Sequence, residues 1–276
     1  MKILKDVITS RNNSLVKWAS SLASKKGRDD AKAFIAEGEK LTFEAIESKL
    51  PITHIFVLEN KFEKLSQKLE QALSIDLYKD VEVILLSESA FEKISTEKAP
   101  QGVITVIKYL DFFNYIDIIY KEEFFLPAEE KAIILSSVRD PGNIGAVIRS
   151  AVAFGVDHII ISSDCADLYN PKTVRSAMGS LFRVKTTVVS DLAAAVKAII
   201  ENGRRVFSAE LSDSAKPLNE IGLKKSDVVI IGNEGHGIDS HISASSTGSV
   251  YIPISKNTES LNASVAAAIF MWEISK

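Results

Sequence analysis

Four β-branched residues in a row, Val228-Val229-Ile230-Ile231, run straight into the turn Gly232-Asn233-Glu234-Gly235-His236-Gly237, and this junction constrains the fold more than any other stretch. A strand with no polar alternation has to be covered on both faces, which calls for a mainly parallel sheet clothed in helices. In open sheets of that kind, ligands bind at glycine- and asparagine-rich turns beyond the carboxyl ends of the strands. Two other segments share the form. Asp140-Pro141-Gly142-Asn143-Ile144-Gly145-Ala146-Val147-Ile148-Arg149 follows an apolar run, and Ile252-Pro253-Ile254 leads into Glu259-Ser260-Leu261-Asn262-Ala263-Ser264. Three such turns are hard to explain as packing and predict one site built from distant loops.

Around these turns the second half reads as a regular α/β succession. Strands are expected at 132–138, 158–162, 184–189, 205–209, 228–231 and 250–254, with helices at 144–154, 171–181, 191–201 and 261–274. The first half reads as a smaller α/β module, with helices at 14–24, 39–48 and 61–73 and strands at 33–36, 52–58, 81–86 and 103–107. Aromatics, acids and a proline interrupt the pattern between them. The expected division is therefore 1–108, a linker at 109–126, and a second domain at 127–276.

Composition narrows the function classes. With 276 residues, 46% hydrophobic and 25% charged, the chain has the make-up of an ordinary globular protein. No apolar run approaches the ~18 residues of a membrane span, and the start lacks the apolar core of a secretory signal, so a cytoplasmic protein is expected. Cys165 is the single cysteine, which excludes an intrachain disulfide and a cysteine-rich zinc site. His54, His158, His236 and His241 lack helical ligand spacing, and no metal is expected. A net charge of −3 argues against non-specific coating of nucleic acid. Locally, however, residues 2–28 hold Lys2, Lys5, Arg11, Lys17, Lys25, Lys26 and Arg28 against Asp6 in that stretch, and Arg183, Arg204 and Arg205 add cations later. On charge alone such a run reads as a solvated face.

The loops lack Gly-x-Gly-x-x-Gly and any P-loop, so neither a standard dinucleotide site nor a phosphate loop is supported. Their polar side chains are Asn143, Arg149, Asn233, Glu234, Ser260, Asn262 and Ser264. Asn143 stands where a helix N-cap would stand, and capping is as good an account of it as ligand binding. Arg149 is either a solvated side chain or a planar fork for a phosphate or developing oxyanion. Gly232, Gly235 and Gly237 exceed what a bare turn needs, which favours close approach of a ligand. Ser260 reads first as a cap for the helix after it, with Asn262 and Ser264 as bystanders. That helix is small and apolar, suited to burial against the sheet or a second subunit.

Taken in order, Asn143-x-Gly145-x-x-x-Arg149-x-Ala151-x-x-Phe154-Gly155, Gly232-Asn233-Glu234-Gly235, and Ile252-Pro253 with Glu259-Ser260-Leu261-Asn262-x-Ser264 resemble the three signature motifs of the SpoU, or TrmH-type, RNA ribose 2′-O-methyltransferases of the SPOUT class. Pro171-Lys172-x-Val174-Arg175-x-Ala177-Met178-Gly179-Ser180 and Pro100-Gln101-Gly102-Val103 are further matches. Ser10-Arg11-Asn12-Asn13-x-Leu15-Val16-Lys17 and Phe34-Ile35-Ala36-Glu37-Gly38 are similar to the substrate-binding domain of these enzymes.

The resemblance implies an α/β fold: a C-terminal parallel-sheet SPOUT domain with a deep trefoil knot, plus a smaller N-terminal α/β RNA-binding domain resembling a ribosomal protein. It implies S-adenosyl-L-methionine bound in a bent shape, with backbone contacts at Gly232, Ile252 and Leu261 and with Asn233, Gly235, Ile254 and Ala209 around it. Arg149, Asn143, Glu234, Ser260 and Asn262 correspond to the family's catalytic set. Arg11, Asn13, Lys17, Lys25, Lys26 and Arg28 become candidate RNA contacts. Members are homodimers, so Arg149 is expected to serve the site of a second copy. Structured RNA is the implied substrate, ribosomal RNA ahead of transfer RNA, and the alternative is a catalytically inactive ribosome-assembly factor of the same fold.

Overall fold

A computed structural model of the protein describes residues 2–110, 113–116, 125–255, 257–258 and 260–276. The chain forms two compact units, Met1–Leu110 with Asp167–Phe182, and Asp111–Ala166 with Arg183–Lys276. The stretch 167–182, which the sequence pattern assigns to the second domain, thus belongs to the first. Sequence order gives no warning of this, because the excursion carries the same helix signals as its neighbours.

The first unit is a five-stranded mixed sheet in the order β1-β4-β3-β5-β2, formed by β1 (Lys2–Ile8), β2 (Ala33–Glu37), β3 (Ile52–Leu58), β4 (Glu82–Leu86) and β5 (Val103–Lys108). β1, β4 and β3 run parallel, whereas β5 is antiparallel to β3 and β2. Its helices are α1 (Ser14–Ser21), α2 (Lys25–Ala31), α3 (Glu39–Glu47), α4 (Glu59–Ala72) and α5 (Glu88–Ile94). The helix expected over 14–24 breaks where Ser24 caps a new start, its hydroxyl accepting from Gly27 N. On α1, Val16 and Ala19 face a core completed by Phe56, Ile84, Phe91 and Ile104. The segment 167–182 joins this unit through aromatic packing. Tyr169 stacks on Tyr109 with centroids 4.1 Å apart, touches Phe34 at 4.7 Å, and accepts a hydrogen bond from Leu110 N at 2.9 Å.

The second unit is an eight-stranded sheet in which every pairing is parallel, as the β-branched runs require. Its strands are β6 (Phe113–Ile116), β7 (Ala132–Leu135), β8 (His158–Ser162), β9 (Lys185–Val189), β10 (Val206–Ala209), β11 (Lys216–Pro217), β12 (Val228–Ile231) and β13 (Gly248–Tyr251). Their order across the sheet is β11-β13-β10-β12-β7-β8-β9-β6. β6 falls inside the expected linker and pairs with β9 at the sheet edge, while the linker positions 111–112 and 117–124 lie outside the described residues.

α6 (Pro141–Ala153), α7 (Pro171–Ala177, in the first unit), α8 (Leu192–Glu201), α9 (Leu218–Ile221), α10 (Ser240–Ala244) and α11 (Ala263–Ser275) complete the chain. α6 buries Ile144, Val147, Ile148 and Ala151 at i, i+3, i+4, i+7 spacing, each of the three larger side chains contributing roughly 1.5–3 kcal/mol. α11 lies against α6 and β12, which brings the last motif of the chain beside the first. No helix among the described residues is long and apolar enough to cross a membrane.

Candidate active site

Because β13, β10, β12 and β7 are adjacent and parallel, their carboxyl ends share one edge of the sheet, about 4.8 Å apart from strand to strand. That edge carries Ile252 just beyond β13, Ala209 at the end of β10 and Gly232 just beyond β12.

The helix after β7 begins with a cap, and the capping residue is Asp140 rather than Asn143. The Asp140 carboxylate accepts from Asn143 N at 3.0 Å, and Pro141 occupies the first helical position, where no N–H is needed. Asn143, two residues later, is left with its amide free. It donates to Glu234 Oε1 in the second turn and accepts at its Oδ1 from Asn262 Nδ2, 3.0 Å away, in the third. One asparagine therefore ties together three turns separated by 91 and 119 residues of sequence. The side chains remain open to solvent, with Asn143 half-buried and Glu234 and Asn262 exposed.

Each turn is held from behind. Asn233 closes the second: its Nδ2 donates to Ser137 O at 2.8 Å, and its Oδ1 accepts from Gly235 N at 2.8 Å and His236 N at 3.2 Å. Asn233 and Gly237 also exchange backbone bonds of 2.9 and 3.0 Å. The tightness of this turn by itself requires a glycine at 232, since a Cβ there would lie 2.5 Å from the Gly237 carbonyl carbon. Ser137, which receives Asn233, sits in the left-handed region at φ 55, a conformation that costs a non-glycine residue energy and gathers at functional sites. Its hydroxyl donates to Asp164 at 2.6 Å. Burial raises the Asp164 carboxyl, but hydrogen bonds from Ser137 and Ser162 outweigh it and hold the group below its ordinary value.

In the third turn the cap of α11 is Asn262, whose Oδ1 accepts from Ser264 N at 2.9 Å and Ser264 Oγ at 2.6 Å. Ser260, expected as the cap, is exposed and outside the hydrogen-bonded cluster, its carbonyl accepting from Thr258 Oγ1 at 3.3 Å. Asn262 is thus a cap and a bridge at once. Sequence reading also missed Glu210, at the edge of the site after Ala209, whose Oε1 accepts from Ser243 at 2.5 Å and Ser249 at 2.7 Å. Neither Ser137 nor Glu210 lies in a recognisable spacing.

Arg149 stands apart. It is exposed, six residues along α6 from Asn143 and so about 9 Å further down the axis, and has no hydrogen-bond or ion-pair partner among the described residues. Of the candidate RNA contacts, Arg11, Lys17, Lys25 and Lys26 are exposed. Asn13 caps α1 by accepting from Leu15 N at 2.9 Å. Arg28 has to be withdrawn as an RNA contact. It is 1% exposed, donates to Leu22 O and Ala23 O at 2.9 Å each, and pairs with Asp167 at 2.5 Å, so its charge is committed inside the first unit.

The edge also suits the donor that the motifs imply. Ala209, Ile252, Ile254 and Leu261 are half-buried apolar residues, and among the described residues nothing hydrogen-bonds to the main chain of Gly232, Ile252 or Leu261. Half-buried apolar side chains on these turns, with unpaired amides and carbonyls on the same turns, match a flat adenine and an amino-acid tail. Among the described residues no group of His, Cys, Asp or Glu is placed to hold a metal ion.

Residues 130–272 match the SpoU rRNA Methylase family. The chain belongs to that family. Residues 13–105 of this SpoU member match the MRM3-like substrate binding domain. It is 31% identical over 271 residues to the 23S rRNA (guanosine(2553)-2′-O)-methyltransferase RlmP of Bacillus subtilis, a match covering 98% of this chain and 99% of that one. Among solved structures it is similar to an RNA methyltransferase of the TrmH family from Porphyromonas gingivalis at TM-score 0.76 and 28% identity, covering 95% of this chain and 97% of that one. It is likewise similar to the AdoMet-bound rRNA methyltransferase from Sinorhizobium meliloti, at TM-score 0.77 and 25% identity over 98% of this chain and 97% of that one.

Proposed function

We propose that this protein moves the methyl group of S-adenosyl-L-methionine to a ribose 2′-hydroxyl of ribosomal RNA. The observation that carries the reading is the Glu234–Asn143–Asn262 chain, which joins three family motifs beside the strand ends suited to the donor. The full-length similarity to a 23S rRNA methyltransferase and to an AdoMet-bound rRNA enzyme supports the substrate and the donor.

S-adenosyl-L-methionine supplies an electrophilic methyl on a good leaving group. The protein is left with alignment of the ribose oxygen and with stabilising the charge that grows there. Gly232, Ile252 and Leu261 offer main-chain partners, and Ala209, Ile254 and the Asn233–Gly235 turn shape the pocket around the donor within the knotted path that the resemblance implies. Glu234, Asn143 and Asn262 hold the three turns in register, with Ser260 at the lip of the third. A guanidinium carries five N–H donors and no acceptor, so the role of Arg149 is to grip the adjoining phosphate and offset the growing oxyanion rather than to remove the proton.

Its distance from the cluster within one chain fits service to a second copy. α11 exposes Val265 and Trp272, seven residues apart and so on one face, and Trp272 meets Phe154, the residue that closes α6, edge-on at 5.8 Å. A twofold contact over this face joins the helix that bears Arg149 to its counterpart.

The test is methylation of ribosomal RNA with labelled donor, followed by mapping of ribose-methylated positions. A single donor-dependent 2′-O-methyl position is the expected result. Tight donor binding without transfer to any RNA would overturn the catalytic reading in favour of an assembly factor. Sedimentation of the wild type and of Trp272→Glu checks the dimer, the variant being expected as a monomer.

A further inference from the structure

Two hollows of different chemistry adjoin along α1 in the first unit. One, of about 550 Å³, is lined by Arg11, Asn12, Lys17, Ser20, Ser21 and Lys93. The other, of about 400 Å³, is lined by Trp18, Ser21, Ser24, Lys26, Gly27, Asp30 and Ala31. Ser21, exposed on α1, belongs to both walls, so the two hollows adjoin and make a groove that Ser21 divides.

The cationic end is assembled from separate parts of the chain. Arg11 precedes α1, Lys17 lies on it, and Lys93 comes from α5, which packs against α1. All three are exposed, none is ion-paired among the described residues, and no carboxylate lines this hollow. Three unpaired cations with an amide and two hydroxyls suit the oxygens of successive phosphates. The other end has one aromatic ring, the exposed Lys26 and one exposed carboxylate, Asp30. Trp18 is half-buried, its ring fixed from behind by His54 at 4.9 Å and its carbonyl accepting from Ser21 Oγ at 2.6 Å. Asp30 repels phosphate, but it accepts N–H groups from a base edge, and guanine presents two donors on one edge.

We infer that this groove holds an unpaired guanosine of the RNA substrate, its flanking phosphates on Arg11, Lys17 and Lys93 and its base against Trp18 with its N–H edge on Asp30. Stacking on an aromatic with adjacent backbone cations is how single-stranded RNA is held, and a paired helix keeps its bases out of such a hollow. The choice of RNA as occupant rests on the proposed function, whereas the groove's preference for one nucleotide does not depend on catalysis.

The probe is a labelled eight-nucleotide uridine RNA with one central guanosine, compared with all-uridine RNA and with a duplex of the same length, each titrated at several salt concentrations. The single strand with guanosine is expected to bind tightest and the duplex weakest. Lys93→Ala is expected to weaken all three and lower the salt slope by about 0.7, the share of one phosphate contact on a single strand. Asp30→Asn is expected to erase the guanosine preference with the salt slope unchanged. Trp18→Ala is expected to lose roughly tenfold or more in affinity for the guanosine strand, and the two exposed-site variants keep the test sound if it fails to fold. Unchanged slope in Lys93→Ala, or undiminished guanosine preference in Asp30→Asn, overturns the inference. Parallel methylation assays separate the two readings. Groove-dependent binding without any ribose methylation removes the enzyme assignment alone, and methylation with unaltered KM in both variants removes the groove alone.

Discussion

The first unit encloses an arginine and the second exposes one. Arg28 is wrapped by two carbonyls and the Asp167 carboxylate, its side chain 2% exposed, while Arg149 projects from α6 with no partner among the described residues. In sequence the more suggestive of the two is Arg28, set in a cationic run, and the fold makes it structural. The two terminal nitrogens of Arg28 are taken up by its own chain, although its buried Nε has no partner, so its charge is committed to the fold, and a guanidinium left unpaired on a helix is ready for a ligand. The same contrast separates the wired Glu234–Asn143–Asn262 turns from the open cations around α1.

The largest effect should come from breaking the enclosed arginine. Asp167→Ala strands a buried charge and is expected to cost about 3–5 kcal/mol, read from urea unfolding. Arg28→Lys should lose much of that stability too, because an ammonium cannot reach all three acceptors. Arg149→Lys tests the opposite case. Thermal stability and donor affinity by calorimetry should stay at wild-type values, while the methylation rate falls by about 10²- to 10³-fold, the scale of losing a charge-stabilising group. A folded, donor-binding Arg149→Lys enzyme at wild-type speed would end the comparison. Between these lies Asn262. Asn262→Ala removes the cap of α11 and should cost about 1 kcal/mol. Asn262→Ser restores the cap but not the reach to Asn143, so stability should return while activity does not.

How much of this was readable beforehand depends on how local each feature is. The strands 158–162 and 228–231 coincide with expectation because uninterrupted β-branched runs have few other uses. β1 escaped notice because Lys-Ile-Leu-Lys-Asp-Val-Ile has neither strict alternation nor a continuous apolar run, and α2 because its charged sequence has no apolar face to detect. At the site, Asn143, Glu234 and Asn262 were legible as polar residues in strand-end turns. Their division of labour was not, since Asp140 takes the cap at one helix and leaves Asn143 free, whereas Asn262 caps and bridges at the other. Ser137 and the burial of Arg28 were invisible for a different reason. Each is defined by a partner far along the chain, Asn233 for one and Asp167 for the other.

The smallest expected effect concerns histidine, and it sharpens the contrast between enclosed and exposed charge. His158, 1% exposed at the start of β8, has Nε2 2.7 Å from Thr187 Oγ1 and Nδ1 3.1 Å from Glu130. Burial is the main reason its imidazole titrates below the ordinary value near 6.5, Lys185 and Arg204 push the same way, and Glu130 opposes them. The unfolded chain therefore takes up this proton at a higher pH than the folded one. Stability is fully present above the unfolded value and declines as pH falls through it towards the folded value, because only there does the unfolded state bind more protons. His54 acts in the same direction, lowered by burial against the attraction of Glu82. Melting temperatures at pH 7.5 and 5.5 should drop more for the wild type than for His158→Gln, which keeps a side chain able to bond Thr187 but carries no titrating group. Equal drops would mean that the buried imidazole contributes nothing to the acid sensitivity of this unit, and that its two hydrogen bonds hold the strand irrespective of protonation.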